Sequence, residues 1–242
     1  EAQMSAGDRL IVPLDVGSLG EATELMDKLD GVVSFYKVGS QLFTASGPSA
    51  VEEVKSRGGR VFLDLKFHDI PNTVALACQA ATELGVDILT LHTFGGFEMM
   101  ESAVKRVWHQ KKRPLLLGVT ILTSLDEAFL KDVIGATERT LEEEVLHLAG
   151  LAQSAGLDGV VSSPLEVSAI KMRCSREFVV LTAGIRPSGY ESQDQARVLT
   201  PSQAMEAGAD YIVVGRPITQ AGKPREVAQA VIKEMEEGLR ED

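Results

Sequence analysis

Cysteine is scarce. Cys78 and Cys174 are the only two in 242 residues, and they stand in no metal-ligand spacing. They supply no disulfide framework, which fits a reducing cytoplasm, and both are expected to pack or face solvent rather than react. Positive charge is also short. With 24 Lys and Arg against 35 Asp and Glu, the formal net charge is −11, which argues against nucleic acid or an anionic membrane as the main partner, because either needs a basic face. A small anionic ligand remains compatible, since a few placed cations inside a cleft can hold it whatever the outer sign. No apolar run approaches the ~20 residues that span a bilayer, and Glu1–Asp8 has neither the basic nor the apolar stretch of a leader. A soluble cytoplasmic protein without an export signal is expected, and Glu1–Gln3, ahead of Met4, are given no functional weight. No repeat of fixed length, low-complexity tract or Pro/Gly/Ser linker divides the chain, so one domain over residues 1–242 is expected.

What is present is an alternation. Short apolar, β-rich runs end in polar residues at Leu10–Asp15, Phe35–Lys37, Val61–Lys66, Ile88–His92, Leu115–Thr120, Gly159–Ser162, Phe178–Thr182 and Tyr211–Gly215. Helical periodicity fills the gaps, at Leu19–Leu29, Ala50–Arg57, Thr73–Leu84, Phe97–Gln110, Thr140–Ala155, Leu165–Met172, Ser202–Ala207 and Arg225–Leu239. Successive βα units of this spacing suit an α/β fold, a single TIM (β/α)8 barrel with one insertion before the sixth strand. A doubly wound open sheet would look similar locally, but no G-x-G-x-x-G follows the first strand. In a barrel the polar strand ends converge on one rim, where barrel enzymes place their chemistry.

Val61-Phe-Leu-Asp-Leu-Lys-Phe-His-Asp-Ile-Pro-Asn-Thr73 is the most informative segment. Strand side chains alternate, so Asp64 and Lys66 share a face opposite Leu63 and Leu65. Asp69 follows in the loop that Pro71 helps to end, with Asn72 or Thr73 placed to cap the next helix. A Lys between carboxylates stays protonated, because neighbouring negative charge favours the ammonium. That makes it a poor nucleophile but a usable proton donor. Lys37 and Asp15, at the ends of the two preceding strands, would extend the pair into an alternating charge array; a structural ion pair at a strand end is the plainer reading of the same residues. Across the rim, Gly215 and Arg216 follow the last strand, where barrels often bind phosphate. The long polar segment Ala183–Leu199 reads equally as a closing lid or as a surface excursion. His68, His92, His109 and His147 have no metal spacing; His92 could line the pocket, though a packing role suits it better. Met99, Met100 and Trp108 read as core or interface.

Asp64-Leu-Lys-Phe-His-Asp-Ile-Pro-Asn-Thr73 resembles the signature segment of orotidine 5′-monophosphate decarboxylases. The resemblance spans nearly the whole chain: Leu14-Asp15, Tyr36-Lys37-Val-Gly39, His92 with Gly95-Gly96, Val119-Thr-Ile-Leu-Thr-Ser124, Gly184-Ile-Arg-Pro187, Asp194-Gln195, Thr200-Pro201 and Val214-Gly-Arg-Pro-Ile-Thr219. Ala183 departs from it, standing where the family commonly has Pro. The resemblance implies a homodimer that turns orotidine 5′-monophosphate into uridine 5′-monophosphate in pyrimidine biosynthesis with no metal or organic cofactor. It implies a network of Lys37, Asp64, Lys66 and Asp69, the last donated across the dimer, with Lys66 as proton donor. Asp15 would hold the ribose along with Lys37, Thr73 and the partner's Ile70 would line the same site, Thr123 would contact the pyrimidine, and Gln195, Gly215 and Arg216 would hold phosphate, with Arg186 also substrate-binding. Related sugar-phosphate decarboxylases and aldolases share the D-x-K-x-x-D strand but use a divalent metal, and usually have an acidic residue at the position of Lys37. A non-catalytic phosphate-binding barrel is the rival from another class.

Overall fold

The structure, a computed structural model, describes residues 4–135, 138–190 and 198–240. Among them, parallel strands β1 (Leu10–Pro13), β2 (Phe35–Gly39), β3 (Arg60–Phe67), β4 (Ile88–His92), β5 (Leu115–Val119), β6 (Gly159–Ser162), β7 (Val179–Thr182) and β8 (Tyr211–Val213) pair in sequence order, and β8 closes on β1. This is the expected (β/α)8 barrel. The principal helices between them are α1 (Leu19–Leu29), α2 (Ser49–Ser56), α3 (Pro71–Glu83), α4 (Phe97–Val107), α5 (Leu141–Ser154), α6 (Val167–Arg173), α7 (Pro201–Glu206) and α8 (Pro224–Gly238). No helix among the described residues is long and apolar enough to cross a membrane.

Alternation along the strands builds two cores. One set of side chains, including Ile11, Phe35, Phe62, Ile88, Leu117, Leu181 and Val213, forms a compact cluster in the barrel. The opposite set, including Leu10, Val12, Tyr36, Val38, Leu63, Leu89, Leu91, Val160 and Ile212, packs against buried residues of the helices. Because both faces are buried, the strands read as short continuous apolar runs. Helix starts are set by local chemistry. Ser18 accepts from the Glu21 amide, and Thr140 with Glu143 and Thr200 with Gln203 form reciprocal capping boxes. The expected insertion lies between β5 and α5 and contains a turn of helix at Glu127–Phe129 and a wide turn at Leu130–Ile134.

One expectation needs correction. The cap of α3 is neither Asn72 nor Thr73: the helix starts at Pro71 with Ile70 at the N-cap, and Asp69 Oδ1 accepts from the Ile70 amide at 2.6 Å. Proline lacks an N–H and its fixed φ suits the first helical position, so the start moves toward the strand. Of the three residues read as core or interface, Met99 and Met100 are core, while Trp108 is 58% exposed in this chain, with the Arg113 guanidinium 5.2 Å from its ring. Cys78 is buried, which pushes its thiol up to about 12, and Cys174 is half-buried.

Candidate active site

Lys66 is the only non-glycine residue among those described with positive φ, at 49°. It sits where β3 loses register with β4. Leu63 pairs with Leu89 and Phe67 with Leu91, so Asp64, Leu65 and Lys66 stand opposite the single residue Thr90. Such a bulge re-aims side chains at a strand end. The left-handed backbone is costly for a residue with a Cβ and persists only where its surroundings hold it.

The re-aimed ammonium meets the expected carboxylate. Lys66 Nζ lies 2.8 Å from Asp64 Oδ2, the same oxygen lies 3.7 Å from Lys37 Nζ, and Lys37 Nζ lies 3.2 Å from Asp15 Oδ1. The four groups form one alternating series across the ends of β1, β2 and β3. Side chains of Asp64 and Lys37 are 11% and 16% exposed, so their charges are satisfied chiefly within the series, Asp64 by Lys66 and Lys37 by Asp15. Gly39 makes room for the series: a Cβ there would come within 3.3 Å of Lys37 Nζ and 3.4 Å of Asp15 Oδ1.

Asp15, Lys37 and Asp64 line one side of a cavity of about 260 Å³ at the carboxyl end of the barrel. Ala183, Gly184, Arg186, Gly215 and Arg216 line it too, together with the apolar side chains of Phe62, Val161, Leu181 and Val213. Cationic and apolar side chains thus share one cavity, a lining suited to an anionic ligand with an apolar or ring portion. A second cavity of about 290 Å³, beside Asp30, Ser34 and Arg57 at the amino end of the barrel, contains none of the expected site residues.

The remaining expected residues are placed less directly. Asp69 is exposed, and among the described residues no ion pair joins it to Lys66 of its own chain. Ile70 is 67% exposed. Thr73 lies exposed in the first turn of α3, and Thr123 is exposed after β5, outside the lining of the 260 Å³ cavity. Gln195 falls outside the described residues, with the rest of 191–197 in the segment read as a lid or surface excursion. His92 is packed: its ring stacks on His68 with centroids 5.6 Å apart, and its Nδ1 accepts from the Phe94 amide at 3.4 Å. Burial, then the neighbouring His68 and Lys66, push its pKa down to about 4.

Sequence reasoning missed Thr90. Fully buried, it accepts from the Lys66 amide at 3.0 Å and donates to Asp64 Oδ1 at 2.8 Å. The signal was a hydroxyl inside Ile88-Leu-Thr-Leu-His92, in phase with Ile88 and His92 and therefore on the barrel side.

Comparison with known proteins decides the family. The orotidine 5′-phosphate decarboxylase / HUMPS family model matches residues 8–231. The chain belongs to this family. A similar protein is the orotidine 5′-phosphate decarboxylase of Moorella thermoacetica, 48% identical over 239 residues that cover 97% of this chain and 94% of that one. The orotidine 5′-phosphate decarboxylase of Legionella pneumophila (strain Paris) is 49% identical over 228 residues, covering 94% of this chain and 99% of the other. Among solved structures, that of orotidine 5′-phosphate decarboxylase from Lactobacillus acidophilus matches with a TM-score of 0.83 at 37% identity, covering 93% of this chain and 98% of that chain.

Proposed function

We propose that this chain decarboxylates orotidine 5′-monophosphate to uridine 5′-monophosphate, in keeping with the decarboxylases it is similar to, and so serves pyrimidine biosynthesis. The observation that carries the reading is the Asp15–Lys37–Asp64–Lys66 series beside a cavity that Arg186 and Arg216 also line. Loss of carbon dioxide from C6 leaves an electron pair in an orbital that the ring π-system cannot delocalise. A fixed ammonium beside that carbon stabilises the developing charge where it forms. Lys66 fills that role and then delivers its proton to C6, while Asp64 orients the ammonium and Lys37 balances Asp64. Asp15 and Lys37 hold the ribose, Thr123 contacts the pyrimidine, and Gln195, Gly215 and Arg216, with Arg186, hold the phosphate. Binding energy from the phosphate supports a step that the phosphate never touches.

The same reading makes the enzyme a homodimer with shared sites, in which Asp69 of the partner subunit completes the network beside Lys66, and Ile70 and Thr73 line the shared site. Exposure of Asp69, together with exposed apolar side chains after adjacent strands (Ile70 and Leu76 beyond β3, Phe94 and Phe97 beyond β4), supports it. A cytoplasmic location and a single catalytic unit complete the proposal. The metal-dependent alternative is weaker because the Lys37 ammonium stands between Asp15 and Asp64, where that chemistry calls for a further carboxylate. The test is to treat the protein with chelator, add orotidine 5′-monophosphate and follow the ultraviolet absorbance. Full turnover is expected; activity lost to the chelator and restored by magnesium would refute the reading.

A further inference from the structure

We infer that Thr90 is a positioning residue for Lys66 and Asp64, an inference that rests on the proposed decarboxylation. Its basis is the bulge. Three residues of β3 oppose Thr90 alone, so the ladder lacks a backbone carbonyl for the Lys66 amide, and the Thr90 hydroxyl replaces it at 3.0 Å. Accepting that N–H leaves the hydroxyl proton free to point elsewhere, and it goes to Asp64 Oδ1 at 2.8 Å. The other oxygen of Asp64 receives Lys66 Nζ at 2.8 Å. One buried hydroxyl thus closes a ring: backbone of Lys66, Thr90, carboxylate of Asp64, ammonium of Lys66.

The ring fixes two things that the reaction needs. It holds Lys66 in a left-handed conformation that its side chain disfavours, and so sets the direction from which the ammonium approaches the ring carbon. It also settles the rotation of the Asp64 carboxylate, leaving Oδ2 to the two ammoniums. Without the hydroxyl, the part-buried Lys66 amide and one buried oxygen of the Asp64 carboxylate lose their partners. The substrate-binding cations Arg186 and Arg216 lie elsewhere along the cavity. The defect should therefore fall on turnover and spare binding.

Thr90→Val keeps the branched shape and removes the hydroxyl, while Thr90→Ser keeps the hydroxyl. Steady-state kinetics on orotidine 5′-monophosphate should show kcat of the Val protein reduced about tenfold to a hundredfold, the scale of a lost bond to a charged group. KM should change far less, and the Ser protein should recover most of the loss. Hydrogen exchange at the Lys66 amide, read without substrate, should speed up in the Val protein and not in the Ser protein. A Val protein with wild-type kcat, a loss confined to KM, or a Ser protein as impaired as Val would overturn the inference. So would unchanged exchange at Lys66. Should the wild-type protein itself fail to turn over substrate while exchange responds as expected, the decarboxylase reading falls and the holding role of Thr90 stands.

Discussion

His92 stacks on His68 at the end of β4, close enough to Lys66 to feel its charge, and burial holds its pKa near 4 against an ordinary 6.5. Between those two values an unfolded chain takes up a proton that the folded chain refuses. Stability from keeping this imidazole neutral is therefore complete above the unfolded pKa and is lost as pH falls through the folded one. Carboxylates titrate in the lower part of that range, so the contribution must be isolated by difference. His92→Gln removes the titration and retains a polar side chain. Its melting temperature relative to wild type should rise steadily from about pH 7 to about pH 4; parallel curves would show that His92 contributes nothing to the acid limb. At this scale the sequence is uneven. Asp15, Lys37, Asp64 and Lys66 were legible because charges in apolar runs demand partners. Thr90 was not, because a Thr in a strand is unremarkable until the neighbouring strand bulges. For Trp108 the sequence left core and interface open, because a helical apolar phase does not reveal whether the face it marks is covered within the chain.

Among the elements, β6 and β7 approach each other most intolerantly. Gly159 opens β6, paired with Val179, and a Cβ there would collide with the Val179 carbonyl and with its Cβ at 2.7 Å. Backbone cannot swing aside as a flexible side-chain tip can, so the strands must part. Gly159→Ala should destabilise the barrel by about 1–3 kcal/mol, the usual cost of overpacking, which for a chain of this size is roughly 2–4 °C of Tm per kcal/mol. Thermal melts check it, and an unchanged Tm would mean that β6 and β7 separate without cost. Strands and principal helices were readable to within a few residues, since burial on both faces makes each strand a bounded apolar run. Local chemistry escaped at the edges of elements. Pro71 drew the α3 start back to the strand, and the β3 bulge depends on register with β4, which no single-segment pattern encodes.

At the scale of the whole molecule, the barrel carries Lys66 near the end of β3 and Asp69 in the loop that follows, yet does not join them within one chain among the described ion pairs. Lys66 turns inward to Asp64, while Asp69 stays outside with Ile70. A two-fold axis beside this rim would bring each Asp69 to the Lys66 of the partner subunit, since an isologous contact presents the same patch from both sides. Lys66→Ala and Asp69→Ala proteins should each be nearly inactive, one lacking the proton donor and the other a member of the charge network. Dissociating, mixing and reassociating them separates the two geometries. In a heterodimer, one site combines an intact Lys66 from one chain with an intact Asp69 from the other, and the second site carries both lesions. Random reassortment makes about half the dimers heterodimeric, each with one good site of two, so roughly a quarter of wild-type activity should return. If mass measurement confirms reassortment and activity stays absent, Asp69 acts within its own chain, and its exposure reflects an open loop instead of a shared site.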